Sequence, residues 1–257
     1  GNTSCVEVTG PDGTLLVLDA GTGVRRLGAA LNGQPQRVDI LLTHLHMDHI
    51  QGLGFFQPLY EQDLDVHIWG PPSSSMDLYA RLGRYLSPPL FPVRLRDLPC
   101  RLTLHDVLPG EFRIGCFRVS AEVVCHPGRT LGYRISENGA TMAYLPDHEP
   151  ALCHDDGIGG DPDWISGFRL ADGADALIHD AQYTAAEYSE HLGWGHSSID
   201  HALEFARTAG TRKLVTFHHD PAHTDDALDA IVEDALSDRE QPPFEVVCGT
   251  EGLSFEV

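Results

Sequence analysis

Short apolar runs separated by polar turns recur along the chain and predict a protein built largely of strands. The run Thr14–Leu18 follows the turn signal Pro11-Asp12-Gly13 and predicts a strand that leaves this turn. Val38–Leu42 is apolar except for Asp39, which favours a strand buried on both faces, and it ends directly at a cluster of histidines. The other predicted strands are Ser4–Val8, Val66–Trp69, Phe112–Ile114, Arg118–Val124, Leu131–Ile135, Thr141–Leu145, Ala176–Ile178, Lys213–Phe217, Phe244–Cys248 and Leu253–Val257.

Helical patterns are fewer and lie mostly in the second half of the chain. Val24–Leu31, Ser198–Ala209 and Thr224–Leu236 are predicted helices, whereas the polar, glycine-rich stretch Asp147–Phe168 predicts a loop or a lid. The chain has no internal repeat, low-complexity tract or linker signal, so we expect one domain over residues 1–257. Strands first and helices interleaved later favour a layered α/β sandwich over a doubly wound sheet.

Charge narrows the range of partners. The chain carries 17 basic and 38 acidic residues, a formal net charge of −21, which disfavours binding to extended DNA or RNA. Five arginines fall within one short stretch, and they are either solvated residues paired with acids or a local patch that faces a phosphate. These are Arg81, Arg84, Arg94, Arg96 and Arg101.

The spacing of the cysteines and the hydropathy of the chain indicate where in the cell the protein is expected to lie. The six cysteines are scattered without a Cys-x-x-Cys pair, a spread typical of reduced thiols in a cytoplasmic protein. No apolar run is long enough for a membrane span, so no membrane partner is expected. The chain starts at Gly1, which suggests that an N-terminal piece precedes it.

The run Thr43–His49 carries the strongest chemical signal. His44, His46, Asp48 and His49 place four potential ligands within six residues, directly after a predicted buried strand. Such convergent polar groups are costly to leave without a bound ligand, and imidazole with carboxylate suits zinc, manganese or iron. One catalytic metal ion needs only three protein ligands. This run offers four, and residues elsewhere in the chain would add more, so the sequence indicates two metal ions.

Further candidate ligands follow other predicted strands. His126 comes after Arg118–Val124, Asp147 after Thr141–Leu145, and His218 and His219 after Lys213–Phe217. Strand ends of this kind usually assemble sites. Taken singly, His126 is as readily a capping histidine and Asp147 a turn residue, and either His218 or His219 would serve as the last ligand.

The motif Thr43-His44-Leu45-His46-Met47-Asp48-His49-Ile50-Gln51-Gly52 resembles the signature of the metallo-β-lactamase superfamily. Four later segments resemble its ribonuclease Z-like phosphodiesterase branch. They are Tyr144-Leu145-Pro146-Asp147, His179-Asp180-Ala181, Gly195-His196-Ser197-Ser198, and Leu214-Val215 leading to His218. Asp180 stands where the branch has glutamate, so the arm that reaches His196 is shorter by one methylene. The resemblance covers nearly the whole chain.

The resemblance implies a four-layer αββα metallo-β-lactamase sandwich with two divalent ions, zinc first and manganese as the alternative. It assigns one ion to His44, His46 and His126, the other to Asp48, His49 and His218, with Asp147 bridging, and it prefers His218 to His219. It makes His196, Asp180 and Asp48 the catalytic residues. Asp19 is expected either to support the ligands or to form a turn. Trp194 is expected to be packed in the core more readily than to stack on a base.

The resemblance also implies hydrolysis of a phosphodiester by a hydroxide that the two ions share. The long arm with which ribonuclease Z enzymes grip transfer RNA has no counterpart here, so a small phosphodiester, first of all a cyclic nucleotide, fits better. The chain is most similar to the phage-type cyclic-nucleotide phosphodiesterases that counter Pycsar signalling. Related enzymes are commonly homodimers.

Three other functions stay open at this point. One is a lactonase, thioesterase or β-lactamase on the same fold, although those branches generally lack the Gly195–Ser198 segment. Another is an endonuclease that processes the 3′ end of tRNA. The third is not an enzyme, but a metal-containing sensor or scaffold.

Overall fold

The computed structural model of this protein describes residues 1–31, 35–152, 158, 160–237 and 241–257. These residues form two compact units. The first unit comprises residues 2–108 and 112–117, and the second comprises residue 1 together with 109–111 and 118–257. Both units contain strands and helices, as the α/β prediction requires. The expectation of one domain over 1–257 stays a prediction.

The first unit is built on a five-stranded sheet. Its strands are β1 (Val6–Thr9), β2 (Leu15–Leu18), β3 (Arg37–Leu41), β4 (Asp65–Gly70) and β5 (Arg101–Asp106), and its helices are α1 (Val24–Ala30), α2 (Met47–Ile50) and α3 (Leu78–Tyr85). The strand order is β1-β2-β3-β4-β5, with β1 antiparallel to β2 and the others parallel. The parallel strands β2 and β3 end beside each other, with Leu18 paired to Leu41.

The core of this unit explains why β3 is a central strand. Its residues Val38 and Ile40 are fully buried and share a cluster with Val24 of α1 and Leu82 of α3. The carboxylate of Asp39, the one polar residue after Arg37 in β3, is buried because it accepts two hydrogen bonds of 2.7 Å from the Arg37 guanidinium. A buried carboxylate that is paired in this way is tolerated in an otherwise apolar strand.

The second unit is built on most of a seven-stranded sheet, of which residues 112–114 and 117 are grouped with the first unit. Its strands are β6 (Gly110–Ile114), β7 (Phe117–Val124), β8 (Thr130–Glu137), β9 (Ala140–Leu145), β10 (Ala176–Asp180), β11 (Lys213–Phe217) and β12 (Glu245–Cys248). The order is β12-β11-β10-β9-β8-β7-β6, parallel from β12 to β9 and antiparallel from β9 to β7. Its helices are α4 (Phe168–Ala171), α5 (Ala185–Glu190), α6 (Ile199–Ala209) and α7 (Asp225–Ser237).

Local sequence signals fix the main helix of this unit. The Ser198 side chain accepts a hydrogen bond from the backbone of His201 at the start of α6, and Gly210 ends the helix in the left-handed region at φ 64°. Both are the residues expected at such positions. The buried face of α6 includes Leu203 and Ala206, which pack with Leu177 of β10 in the core of the unit.

Most predicted elements are confirmed to within a few residues. The strand predicted at Leu253–Val257 is wrong, since this segment is largely exposed and has no strand structure. The elements β5, α2, α3, α4 and α5 were not predicted. The segment Asp147–Phe168 holds short helical turns, but residues 153–157 and 159 lie outside the described part of the chain. None of the described helices is long and apolar enough to cross a membrane.

Candidate metal centre and its histidine

The predicted ligands fall into two sets, one in each unit. In the first unit, the loop after β3 brings three imidazole rings together. The ring centroid of His44 lies 4.3 Å from that of His46 and 4.3 Å from that of His49. Asp48 completes the set, with its Oδ2 3.2 Å from His49 Nε2. His44 and His49 are buried, whereas His46 is exposed, so the set opens to solvent on one side.

Asp19 holds two residues of this loop in place by hydrogen bonds. Its buried carboxylate accepts a hydrogen bond of 2.7 Å from the backbone of Thr43, and its Oδ2 lies 2.8 Å from His49 Nδ1. The Thr43 hydroxyl in turn lies 3.0 Å from His44 Nδ1. Asp19 adopts a left-handed φ of 58° at the end of β2. It therefore combines the two roles expected from the sequence, a turn residue and a support for the histidines.

Gly52 closes the motif for a steric reason. A Cβ at this position would collide with the backbone carbonyl oxygen of Gly21, which belongs to the turn after Asp19. The backbone of Gly52 also donates a hydrogen bond of 2.9 Å to the carbonyl of Ala20. The glycine of the motif is thus required where the histidine loop packs against the turn that carries Asp19.

In the second unit, three strand ends converge on Asp147. His126 follows β7, Asp147 follows β9 and His218 follows β11. One carboxylate oxygen of Asp147 lies 3.7 Å from His126 Nε2, and the other lies 3.5 Å from His218 Nε2. A buried carboxylate with an imidazole beside each oxygen has the arrangement of a bridging ligand.

The structure separates the two adjacent histidines that follow β11. His218 adopts a left-handed φ of 57° and lies beside Asp147. The Nε2 of His219 lies 3.7 Å from Cys248 Sγ instead, and burial lowers the pKa of this histidine. Of the two histidines, His218 is the one that lies beside Asp147, and its role as the last ligand stays a prediction.

His196 lies between the rings of two predicted ligands. Its ring centroid is 5.2 Å from that of His126 and 5.0 Å from that of His218, on which it stacks with an interplanar angle of 7°. His196 Nδ1 lies 2.7 Å from Oδ2 of Asp180, the last residue of β10. The other oxygen of Asp180 accepts hydrogen bonds from the backbones of Gln182 (3.1 Å) and Ser197 (3.0 Å). Asp180 is fully buried, so the dyad is held rigidly.

The residues present fit divalent metal ions. In His44, His49 and His126 the Nδ1 atom is engaged by a neighbouring group of the chain, which assigns the ligand role to Nε2. Partners of this kind fix the tautomer of metal-binding histidines, and imidazole with carboxylate is a donor set suited to zinc or manganese.

Two residues depart from what the sequence indicated. Trp194 is 60% exposed, so the expectation of core packing is wrong. Glu149, which was not predicted at all, is buried and accepts hydrogen bonds from the loop that precedes His196. Nothing in its local sequence distinguishes it from an ordinary turn acid. Among the clustered arginines, Arg81 and Arg101 pair with acids, which agrees with a solvated surface.

Comparison with known proteins decides the family. A family model described as a beta-lactamase superfamily domain matches residues 14–219, a span that contains both ligand sets. The chain belongs to the metallo-β-lactamase superfamily. A protein of Myxococcus xanthus named ribonuclease Z is 27% identical over 273 residues, covering 90% of this chain and 85% of that protein. The homologues of this metallo-β-lactamase superfamily member are metal-dependent hydrolases.

Solved structures establish the fold. The metallo-beta-lactamase fold protein YhfI from Bacillus subtilis matches with a TM-score of 0.69 at 19% identity, covering 99% of this chain and 92% of that one. A structure described as a new diphosphatase from the PhnP family matches with a TM-score of 0.65 at 18% identity, covering 98% and 82%. The expected metallo-β-lactamase fold is therefore confirmed.

Proposed function

We propose that the chain is a dinuclear phosphodiesterase that hydrolyses a small phosphodiester, first of all a cyclic nucleotide. The observation that carries this proposal is the 2.7 Å pair of His196 and Asp180 beside the rings of His126 and His218. This pair supplies a proton donor next to candidate metal ligands, which is what departure of an alkoxide from phosphorus requires. A site that only holds metal does not need such a proton donor.

The ligand assignment follows the superfamily motif. His44, His46 and His126 would hold one ion, Asp48, His49 and His218 would hold the other, and Asp147 would serve both. Divalent ions in such a centre activate water as a nucleophile and neutralise the charge that develops on phosphoryl oxygens. Zinc is the first choice and manganese the alternative, because histidines and carboxylates together suit both.

The chain's own groups account for the rest of the mechanism. Asp180 accepts the hydrogen bond from His196 Nδ1–H and holds the imidazole ring in one orientation. His196 then offers its Nε2 proton to the leaving oxygen as the bond to phosphorus breaks. The backbone donors of Gln182 and Ser197 keep the Asp180 carboxylate in place throughout, so the imidazole does not reorient during turnover.

The net charge of the chain favours a small substrate. With a net charge of −21 the chain repels polyanions, whereas a mononucleotide carries few charges that the metal ions neutralise. Processing of tRNA is the second candidate, because the Myxococcus relative is named a ribonuclease Z.

A turnover screen of the metal-reconstituted protein tests the proposal. Cyclic mononucleotides, cyclic dinucleotides, 2′,3′-cyclic phosphates, pre-tRNA, a lactone and a thioester are offered in parallel. We expect turnover of a cyclic phosphate. Cleavage of pre-tRNA alone would favour the second candidate, and turnover confined to the lactone or thioester would refute phosphodiester chemistry. Two bound ions with no turnover of any substrate would favour the sensor or scaffold.

A further inference from the structure

Glu149 is a buried carboxylate at the centre of a hydrogen-bond network in the second unit. It is 1% exposed. Its Oε1 accepts hydrogen bonds of 2.9 Å from the Tyr188 hydroxyl and 2.9 Å from the Gly193 backbone, and its Oε2 accepts one of 2.6 Å from the Gly195 backbone. Burying a carboxylate is costly unless donors compensate it, and these three donors converge on it.

The loop that Glu149 holds is the segment just before His196. Gly193 and Gly195 both adopt left-handed φ angles, 84° and 92°, so the chain turns sharply on either side of Trp194. Within this turn the Trp194 amide donates to the His191 carbonyl, whereas the amides of the two glycines need other acceptors. Glu149 supplies them to both glycines, and we call residues 193–195 the clamped turn.

The clamped turn reaches a predicted metal ligand. The Gly195 carbonyl lies 2.9 Å from His126 Nδ1, and it can only accept, so this ring nitrogen carries the proton. A Cβ at Gly195 would collide with the same nitrogen, which shows how closely the turn is seated against the ring. The position of the carbonyl thus selects the His126 tautomer whose Nε2 lies near Asp147.

The same residue is tied to the ligands through its own backbone. Glu149 lies two residues after Asp147, and its N–H donates a 2.9 Å hydrogen bond to the carbonyl of Cys125, the residue before His126. Its backbone therefore fixes the ends of β7 and β9 relative to each other. Its side chain fixes the clamped turn relative to both.

We propose that Glu149 is a positioning residue that sets the tautomer of His126 and the place of His196 through the clamped turn. The inference rests on the proposed function for the roles of these two histidines. It predicts that loss of the carboxylate weakens one metal ion of the pair and lowers kcat, while KM stays close to that of the wild type.

Glu149→Gln is the decisive variant, because glutamine has the same shape. Whichever way its amide is turned, the NH₂ group faces either the Gly195 N–H or the donors Gly193 and Tyr188, so part of the clamp is lost. Tyr188→Phe removes one donor and leaves both glycine amides bonded, so its effect should be much smaller. Glu190→Gln is the matched control, since it removes an exposed acid from the same stretch of chain.

The measurements are Zn²⁺ affinity by competition with a chelating indicator, the His126 tautomer by ¹⁵N NMR of the metal-free protein, and kcat and KM. We expect Glu149→Gln to lose about 10- to 100-fold in affinity for one ion and to shift the His126 tautomer. A folded Glu149→Gln with wild-type affinity and tautomer would overturn the inference. If that variant does not fold, Glu149→Asp, which keeps the charge but shortens the reach, is judged by the same two criteria.

The proposed function and the role of Glu149 can fail independently, and different measurements show each failure. A wild-type protein that binds metal but hydrolyses no phosphodiester would refute the phosphodiesterase. The metal affinity and tautomer of Glu149→Gln would still decide the role of Glu149, because neither measurement needs a substrate.

Discussion

The Oδ2 atom of Asp19 lies 2.8 Å from Nδ1 of His49, and both side chains are fully buried. Asp19 directly follows β2 and His49 is the last histidine of the metal motif, so the pair joins two residues that are 30 positions apart in the chain. A carboxylate bonded to Nδ1 leaves Nε2 as the basic nitrogen of the imidazole and raises its strength as a ligand. The turn after β2 is therefore part of the candidate metal centre.

Replacement of Asp19 by asparagine tests this relationship. Asp19→Asn keeps the size of the side chain but removes the charge that supports His49 and the Thr43 backbone. We expect metal affinity to fall about 10- to 100-fold, because outer partners of metal-binding histidines contribute at this level. Metal content after dialysis against a graded chelator series measures the loss.

Asp12→Asn is the control for Asp19, since Asp12 is an exposed aspartate of a turn in the same unit. It should bind metal as the wild type does. Equal metal affinity in Asp19→Asn and the wild type would show that the pair serves only the turn.

Removal of His196 should separate catalysis from metal binding. His196→Ala is expected to keep both ions and to lose about 10²- to 10⁴-fold in kcat, the usual contribution of a positioned proton donor. His191→Ala is the control, because His191 lies on the same loop and its ring nitrogen is 2.7 Å from the Glu187 carbonyl. A His196→Ala protein that lost metal but kept full activity per bound ion would contradict the assignment.

Aspartate at position 180 is expected to be the residue that this chain requires, although the related branch has glutamate. The 2.7 Å bond shows that the shorter arm reaches His196, and the Asp180 side chain itself has no exposed surface. Asp180→Glu adds a methylene to a packed site, so we expect a loss of about 1–3 kcal/mol in stability and no gain in kcat. Urea denaturation and kcat together check this, and a stable, faster Asp180→Glu would show that the aspartate weakens the dyad.

Trp194 is placed to affect binding rather than chemistry. It is 60% exposed between the two glycines of the clamped turn, directly before Gly195-His196. If the substrate carries a nucleobase, Trp194→Ala should raise KM about 5- to 150-fold with kcat little changed, since stacking of a base on an aromatic ring contributes about 1–3 kcal/mol. Trp164→Ala, also highly exposed, is the control, and an unchanged KM in Trp194→Ala would exclude a stacking role.

Acid should destabilise the second unit through His179. Burial lowers the pKa of this fully buried histidine from 6.5 to about 4, against the opposing effect of the Asp180 charge. A histidine with a lowered pKa in the folded state stabilises the protein above its unfolded pKa, so stability falls as the pH drops from about 6.5 towards about 4. Urea denaturation across this range measures the slope.

The non-titrating variant His179→Gln isolates this contribution. Unfolding of this variant should take up about one proton fewer than unfolding of the wild type. The slope of its unfolding free energy against pH should therefore be smaller by roughly 1.4 kcal/mol per pH unit. His148, whose pKa burial also lowers, accounts for part of the slope that remains. An unchanged slope in His179→Gln would show that the protonation of other groups governs acid unfolding.

Elements with strong local patterns were predictable, and those that depend on distant contacts were not. Lys213–Phe217 was predicted to the residue as β11, because a short apolar strand and its turns are local signals. The strand predicted at Leu253–Val257 failed because an alternating pattern forms a strand only where a neighbour offers backbone partners. The element β5 was missed because its exposed positions outnumber its apolar ones, and its pairing with β4 is what makes it a strand.

The sequence by itself determined the family, and it predicted the metal chemistry and a set of ligands. These predictions rest on particular residue types at short, fixed spacings, as in Thr43–Gly52. Such spacings can be read directly from the sequence without knowledge of the fold. Tertiary structure alone decided the supporting contacts. Asp19 meets His49 across 30 residues, and Glu149 meets Gly195 across 46, in hydrogen bonds that no local pattern announces. The reason is physical, because a buried carboxylate takes its partners from whichever donors the fold brings to it.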